Sequence, residues 1–428
     1  MRILVVGGGG REHALLWSLQ RDLPQAILFA APGNPGTALL ATNLKVQAVE
    51  VGKVVEAVRQ HDIDLTIVGP EAPLAAGLAD RLRGDGRLVF GPSQAAARIE
   101  ASKAFAKDVM HAARVPTAAS RTFTDLEEAL RYIDAHPEPL VVKASGLAAG
   151  KGVVVCDTRA AARTAARAML AEGRFGEAGR EVVLETFLEG EELSILALTD
   201  GKRIVMLPTS QDHKRLGEGD TGPNTGGMGA YCPVSVGTTA LLERVRRQVF
   251  EPTLKELANR GAAYQGVLYA GIMLAPDGTP NVLEFNCRFG DPETQAVLPA
   301  LRPGLASHLI EIASGRWRPK DRVLGAARAA VATVVAAPGY PEQPELGAAV
   351  DLPPDLGSEV LVFHAGTFRD PEGQLRVQGG RVLSLTGLGA TVPEAARHSR
   401  AASERVGFQG KVFRRDIAWR EIRRAGAA

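Results

Sequence analysis

The run Asn281-Val282-Leu283-Glu284-Phe285-Asn286-Cys287-Arg288-Phe289-Gly290-Asp291-Pro292-Glu293 combines a strand pattern with a group of side chains that ordinary strands rarely bring together. Taken as extended to Arg288, its period of two puts Glu284, Asn286 and Arg288 on one face and Leu283, Phe285 and Cys287 on the other. One face is apolar; the other carries a carboxylate, an amide carbonyl and a guanidinium. The first two are hard oxygen donors suited to Mg²⁺, which takes few protein oxygens and completes its shell with water and nucleotide phosphates. Arg288 offers a planar fork for a carboxylate or phosphate. An amphipathic edge strand with a surface Glu–Arg pair is the plain alternative, common and worth little. An Asn between two charges is depleted in strands, and a Gly-Asp-Pro turn follows at once, which favours the site.

Upstream, Val141-Val142-Lys143 leads through Ala144-Ser145-Gly146-Leu147-Ala148-Ala149-Gly150-Lys151-Gly152 into Val153-Val154-Val155, a glycine loop between two strands. A Walker A loop would need Gly at 145 and Ser or Thr at 152, followed by a helix. Small residues with free backbone N–H groups, bracketed by Lys143 and Lys151, still suit a triphosphate, although an ordinary hairpin fits this segment equally well. Further on, a strand at 181–184 runs into Glu185-Thr186-Phe187-Leu188, whose backbone edge and carboxylate suit an adenine, with Glu192 placed for ribose hydroxyls. By itself that acidic turn reads as solvated surface. The loop 210–229 is polar and glycine-rich, and loops of that length are functional or disordered. Within it His213 reads as a structural hydrogen-bonding group and Met228 as packing.

The first hundred residues alternate short β-branched runs at 3–6, 27–30, 46–49, 65–68 and 88–90 with helical stretches, the pattern of a doubly wound parallel unit. Turns at the strand ends carry Gly10, Asn34 and Glu71, and open α/β sheets bind ligands at the carboxyl ends of their strands. The cluster Gly7-Gly8-Gly9-Gly10 misses GxGxxG, because Glu12 or His13 stands where the third glycine belongs. A tight turn, an anion site at the helix N-terminus and a dinucleotide site remain, in that order of preference. A helix over 102–114 stops before Pro116. A segment rich in Pro, Gly and Glu at 336–354 reads as a linker to a small domain of short strands, at 359–364 and 382–386, that ends in a helix.

At 428 residues the chain is too long for one core and should form several domains. A net charge of +2 argues against a nucleic-acid surface, and 45% hydrophobic with 23% charged residues argues for a globular protein. Cys156, Cys232 and Cys287 are too few and too scattered for a disulfide framework, which fits a reducing cytosol. No apolar run approaches a membrane helix, and the opening strand leaves no room for a signal segment, so a cytoplasmic location is expected.

The order of these parts resembles the ATP-grasp superfamily, in which strands and a glycine loop close over ATP against a strand carrying Glu-x-Asn-x-Arg. Arg288-Phe289-Gly290-Asp291-Pro292-Glu293-Thr294-Gln295 further resembles the signature of the phosphoribosylamine-glycine ligase family, and the likeness spans nearly the whole chain. It implies an N-terminal doubly wound α/β domain at 1–101, an ATP-grasp domain at 102–325 with a flexible lid at about 117–187, and a small β-rich domain at 326–428. It also implies Lys103, Lys143, Ser145, Gly146, Gly150, Lys151 and Gly152 around the ATP phosphates, Glu185 and the Leu188 backbone at adenine, and Glu192 at ribose. Glu284 and Asn286 correspond to the ligands of Mg²⁺ (or Mn²⁺). Arg288 and Lys214 correspond to catalytic groups near an acyl phosphate, Asp212 to a partner of the glycine amine, and Gly10, Asn34 and Glu71 to substrate contacts. The implied activity joins glycine to 5-phosphoribosylamine through glycyl phosphate in purine synthesis, in a monomer with no nucleic-acid or membrane partner. The missing Ser-His-Asp or Cys-His set then has a reason, since the intermediate forms on ATP rather than on the enzyme. Another ATP-grasp ligase, a nicotinamide oxidoreductase and a non-catalytic nucleotide-binding regulator are the competing readings.

Overall fold

The computed structural model describes residues 1–148 and 151–427. Its N-terminal part is a parallel sheet of β1 (Arg2–Gly7), β2 (Ile27–Pro32), β3 (Thr42–Asn43), β4 (Leu65–Val68) and β5 (Leu88–Phe90) in the order β3-β2-β1-β4-β5. Helices cover both faces, so Ile3, Leu4, Val5 and Val6 are all fully buried and read as an unbroken apolar run. The strand expected at 46–49 does not form. Its place beside β2 is taken by Thr42–Asn43, where Asn43 Nδ2 donates to the Asn34 carbonyl at 2.8 Å, and only Leu44 of the next residues is buried.

The glycine cluster after β1 serves the chain's own carboxylate. Glu12 Oε2 accepts from the Gly9 N–H at 2.7 Å, and a Cβ on Gly7 or Gly69 would meet the Glu12 side chain at 2.5 and 2.1 Å. Gly7 also adopts φ +126°, which a side chain would strain. The helix Gly10–Asp22 therefore begins with one of its orphan donors already satisfied by Glu12, the tight-turn reading of this segment.

A second, antiparallel sheet consists of β6 (Ser120–Phe123), β7 (Leu140–Ala144), β8 (Val153–Cys156) and β9 (Val182–Thr186), ordered β6-β9-β7-β8. With the helices Leu126–Ala135 and Arg159–Leu170 it encloses its own core around Leu130, Ile133, Val142, Met169 and Leu184. The remaining strands follow as β10 (Glu191–Thr199), β11 (Ile204–Met206), β12 (Gln211–Asp212), β13 (Arg215–Gly217), β14 (Thr221–Asn224), β15 (Gly229–Cys232), β16 (Gly266–Leu274) and β17 (Pro280–Asn286). Of these, β11-β10-β16-β17 form an antiparallel sheet. The segment 210–229, expected as a loop, is largely strand, with His213 Nε2 accepting from the Ala418 N–H at 2.9 Å and Met228 fully buried.

The last sheet, β12-β15-β18-β22-β19, adds β18 (Ala329–Ala336), β19 (Val360–His364) and β22 (Arg381–Gly389), while β20 (Thr367–Arg369) and β21 (Leu375–Val377) make a separate hairpin. Because β18 and β22 pair directly, the segment after Ala336 is a loop within this region and not a linker to it. Two large cores each draw on the N-terminal sheet, the central sheet and β18, while the residues around 123–184 pack on themselves, as does a C-terminal cluster around Val350, Leu375, Leu383 and Val406. Among the described residues no helix is long and apolar enough to cross a membrane.

Candidate active site

Between the self-packed sheet and the central sheet lies a cleft of about 1020 Å³. Strand β17 forms its floor and departs from strict alternation. The pairing of β16 with β17 slips between Gly271↔Glu284 and Ile272↔Val282, leaving Leu283 as an extra residue. This bulge turns Leu283 to the cleft and gives its expected core place to Val282, so the face assigned to Leu283 by period two is corrected. Glu284, Asn286 and Arg288 nevertheless all line the cleft, and Phe285 and Cys287 are in the core. The Leu283 carbonyl accepts from Lys143 Nζ at 3.1 Å.

Opposite β17 the helix Lys103–Ala112 brings Lys103 and Lys107 to the cleft, Ser102 capping it by accepting from the Phe105 N–H at 3.1 Å. Glu185 on β9 is 2% exposed and stands between Lys143 Nζ at 2.8 Å and Lys107 Nζ at 3.2 Å. Beside them Leu147, Val155 and Phe187 are among the largest exposed apolar side chains of the chain, and all three line the cleft with Leu188. Lys214 pairs with Glu192. Arg288 is held by Glu71 at 3.2 Å and Glu100 at 2.8 Å. Arg381, from β22, reaches the same cleft and bonds Asp291 through its carbonyl at 2.8 Å and its carboxylate at 3.3 Å.

Charge decides the protonation states here. Burial pushes the Glu284 carboxyl up, but Lys214, Lys103, Lys143 and Arg288 together hold it below the usual carboxylate range. Burial depresses the Lys103 ammonium, opposed by Glu284. It also brings Lys107 down to about 8 although Glu185 pulls the other way. Asp212 is raised well above its ordinary value by burial and by Glu293, and its Oδ1 has no hydrogen-bond partner among the described residues. Glu293 itself accepts from Tyr269 OH at 2.7 Å and Ser194 Oγ at 3.0 Å.

Among the described residues neither the Glu284 carboxylate nor the Asn286 amide has a side-chain hydrogen bond, and no group of three His, Cys, Asp or Glu residues is arranged for a metal. Two free oxygens beside several cations fit a divalent ion whose other ligands are phosphate and water. Lys103, Lys143, Gly152, Glu185, Leu188, Glu192, Asp212, Lys214 and Glu71 share this cleft with the β17 residues. Ser145 and Gly146 lie just behind it: Ser145 Oγ accepts from the Ala104 N–H at 3.1 Å, and the Gly146 N–H donates to the Ala178 carbonyl at 3.0 Å. Lys151 is exposed outside the lining, and Gly150 is outside the described residues. Gly10 and Asn34 also sit off the cleft. Asn34 spends its side chain on Gly36 and Thr37 N–H groups and on the Gly8 and His364 carbonyls. Lys107, Glu100, Glu293 and Arg381 were not singled out by the sequence. Lys107 had a signal, four residues after Lys103 on one helical face; Arg381, far along the chain, had none.

The three profiles of phosphoribosylglycinamide synthetase match this chain in order, the N domain at 1–100, the ATP-grasp domain at 101–294 and the C domain at 330–420. The chain belongs to the phosphoribosylglycinamide synthetase family. A phosphoribosylamine-glycine ligase of Yersinia pestis is 45% identical over 99% of this chain and 100% of its own length. One from Allochromatium vinosum is 48% identical over 99% of each. The crystal structure of phosphoribosylamine-glycine ligase from Thermotoga maritima superposes with a TM-score of 0.85 at 35% identity, covering 97% of this chain and 100% of that one. The biotin carboxylase domain of 2-oxoglutarate carboxylase from Hydrogenobacter thermophilus, 18% identical with a TM-score of 0.72 over 96% of this chain and 91% of that one, shares the fold.

Proposed function

We propose that this ATP-dependent ligase of purine biosynthesis joins glycine to 5-phosphoribosylamine, giving ADP, phosphate and glycinamide ribonucleotide by way of glycyl phosphate. The observation that carries the reading is the convergence of Lys103, Lys143, Lys214 and Arg288 with Glu284 and Asn286 in one cleft, in a chain matched end to end by that family. A glycine carboxylate oxygen attacks the γ-phosphorus and the bond to the bridging oxygen of ADP breaks. The amine of phosphoribosylamine then attacks the carbonyl carbon, phosphate leaves and the amine loses a proton.

In this reading Lys103 and Lys143 neutralise the nucleotide phosphates, with Gly146, Gly150, Lys151 and Gly152 covering them and Ser145 buttressing the helix that carries Lys103. Lys214 and Arg288 stabilise the oxygens on which charge redistributes. The unpartnered Asp212 Oδ1 accepts from the glycine ammonium. Glu185 and the Leu188 backbone meet the base, Glu192 the ribose, and Gly10, Asn34 and Glu71 support the second substrate. Glu284 and Asn286 would hold Mg²⁺ or Mn²⁺, which when bound neutralises phosphate charge and orients the oxygens for in-line transfer. Domains at 1–101, 102–325 and 326–428, a lid at about 117–187, a monomeric state and a cytoplasmic location complete the proposal. The self-packed core around 123–184 supports a lid that moves as one body and keeps water from an acyl phosphate. The test is positional labelling: with glycine carrying ¹⁸O in its carboxylate, one labelled oxygen is expected in each inorganic phosphate released. Phosphate free of label would overturn the acyl-phosphate route.

A further inference from the structure

Lys107 is a buried lysine in the nucleotide end of the cleft whose presence simple charge balance does not explain. It is 3% exposed and faces Glu185 Oε1 at 3.2 Å, while Lys143 already neutralises the other oxygen at 2.8 Å. One carboxylate needs one lysine; a second adds a buried positive charge at a cost. The two lysines are also held differently. Lys107 Nζ donates to Thr117 Oγ1 at 2.7 Å and to the Ala118 carbonyl at 3.4 Å, and Thr117 Oγ1 donates on to the Val282 carbonyl at 2.6 Å. Beyond Glu185, Lys143 touches only the carbonyl of the bulged Leu283 among the described residues. The anchored lysine is thus Lys107, and the one with freedom to turn toward phosphate is Lys143.

The geometry of Glu185 Oε1 adds the second observation. It is buried and close to Lys107, yet no donor among the described residues meets it at a hydrogen-bonding angle, so the carboxylate, which lines the cleft, keeps unspent acceptor capacity. Leu147, Val155 and Phe187 give the cleft apolar surface nearby, suited to the faces of a flat base. A base lying there that presents an amino group to the Glu185 carboxylate gains a charge-assisted hydrogen bond. A 6-oxo purine would turn an oxygen lone pair on the same carboxylate.

We propose that Lys107 is a positioning residue that sets base specificity, pinning the Glu185 carboxylate so that it accepts from the 6-amino group of the nucleotide. The proposal rests on the reading of Glu185 as the base contact. It gives the helix Lys103–Ala112 two tasks one turn apart, phosphate charge at Lys103 and base selection at Lys107.

The experiment compares kcat/KM for ATP and for inosine 5′-triphosphate in the intact protein and in Lys107→Met, Thr117→Val and Glu185→Gln, with thermal unfolding of each. Lys107→Met leaves the Glu185–Lys143 pair intact, and the preference for ATP should fall about tenfold, the worth of one hydrogen bond to a charged acceptor, mainly through a higher KM for ATP. Thr117→Val keeps both lysines and removes only the anchor, and a smaller fall of about threefold is expected on the same grounds. Loss of packing alone would lower both nucleotides together and leave their ratio unchanged. An unchanged ratio in Lys107→Met, or in Thr117→Val should Lys107→Met fail to fold, overturns the proposal if Glu185→Gln does lower the ratio. If Glu185→Gln leaves the ratio unchanged as well, the base contact itself is wrong and the role of Lys107 falls with it.

Discussion

Glu284 shows how a single side chain can be read from sequence as to type and only from the fold as to state. A carboxylate at that depth would ordinarily be pushed toward its neutral form, and here four surrounding cations reverse the shift. Glu284→Ala and Asn286→Ala should each keep the fold, as followed by thermal melting, and lose turnover about 100-fold, the scale of removing one group that stabilises transferred charge. The decisive condition is limiting Mg²⁺: a variant that turns over at the parent rate there would remove Glu284 or Asn286 from the metal. Arg288 is the opposite case. Its fork suits a carboxylate or phosphate, and Glu71 and Glu100 each bring a carboxylate to it, Glu100 from nearly 200 positions upstream on a helix whose apolar neighbours give no hint of a buried acid.

At the scale of elements, a single inserted residue in β17 redirects the cleft. Alternation groups Glu284 and Asn286 because both follow the bulge, Arg288 joins them from the bend after β17, which ends at Asn286 and not at Arg288 as expected, and alternation fails at Leu283 because a bulge has no marker in a run of apolar residues. The sheet of β6 to β9 is a second such unit. Since its core is its own, ATP should slow amide exchange at Lys143 and over Val153–Cys156 by contact, while the helices Leu126–Ala135 and Arg159–Leu170 exchange at unchanged rates. Exchange slowed uniformly through both helices would mean that nucleotide orders the whole unit, and the rigid lid would be abandoned.

Across the whole molecule, the N-terminal and C-terminal regions meet at two buried histidines. The His364 N–H donates to His13 Nδ1 at 2.9 Å, and His364 in turn receives Asn34 at its carbonyl. Burial holds His13 down to about 3 and His364 down to about 4. Both stay neutral in the folded protein while the unfolded chain takes up protons below about 6.5, so stability is full at neutral pH and falls as pH drops. The expected loss approaches about 1.4 kcal/mol per pH unit for each histidine between pH 6 and 5. Denaturant titrations at pH 7, 6 and 5 should show it, and His13→Asn, which retains an acceptor for the His364 N–H, should reduce the slope by one proton. An identical slope in that variant would place the acid sensitivity elsewhere.

Local patterns are enough for the doubly wound N-terminal sheet, the helix after Ser102, the polar face of β17 and the terminal β-rich region. Each depends on neighbours within a few positions, through period, turn chemistry or capping. Three things were decided only in three dimensions. The polar segment at 210–229 supplies β12 to the C-terminal sheet and pairs β13 with β14, since strand edges pair with whatever the fold brings alongside. Arg381 enters the cleft from β22, and Lys107 is buried against Glu185, two contacts between positions far apart in the chain. Sequence order carries no distance between such residues; packing sets it, and with it the charge that each group bears.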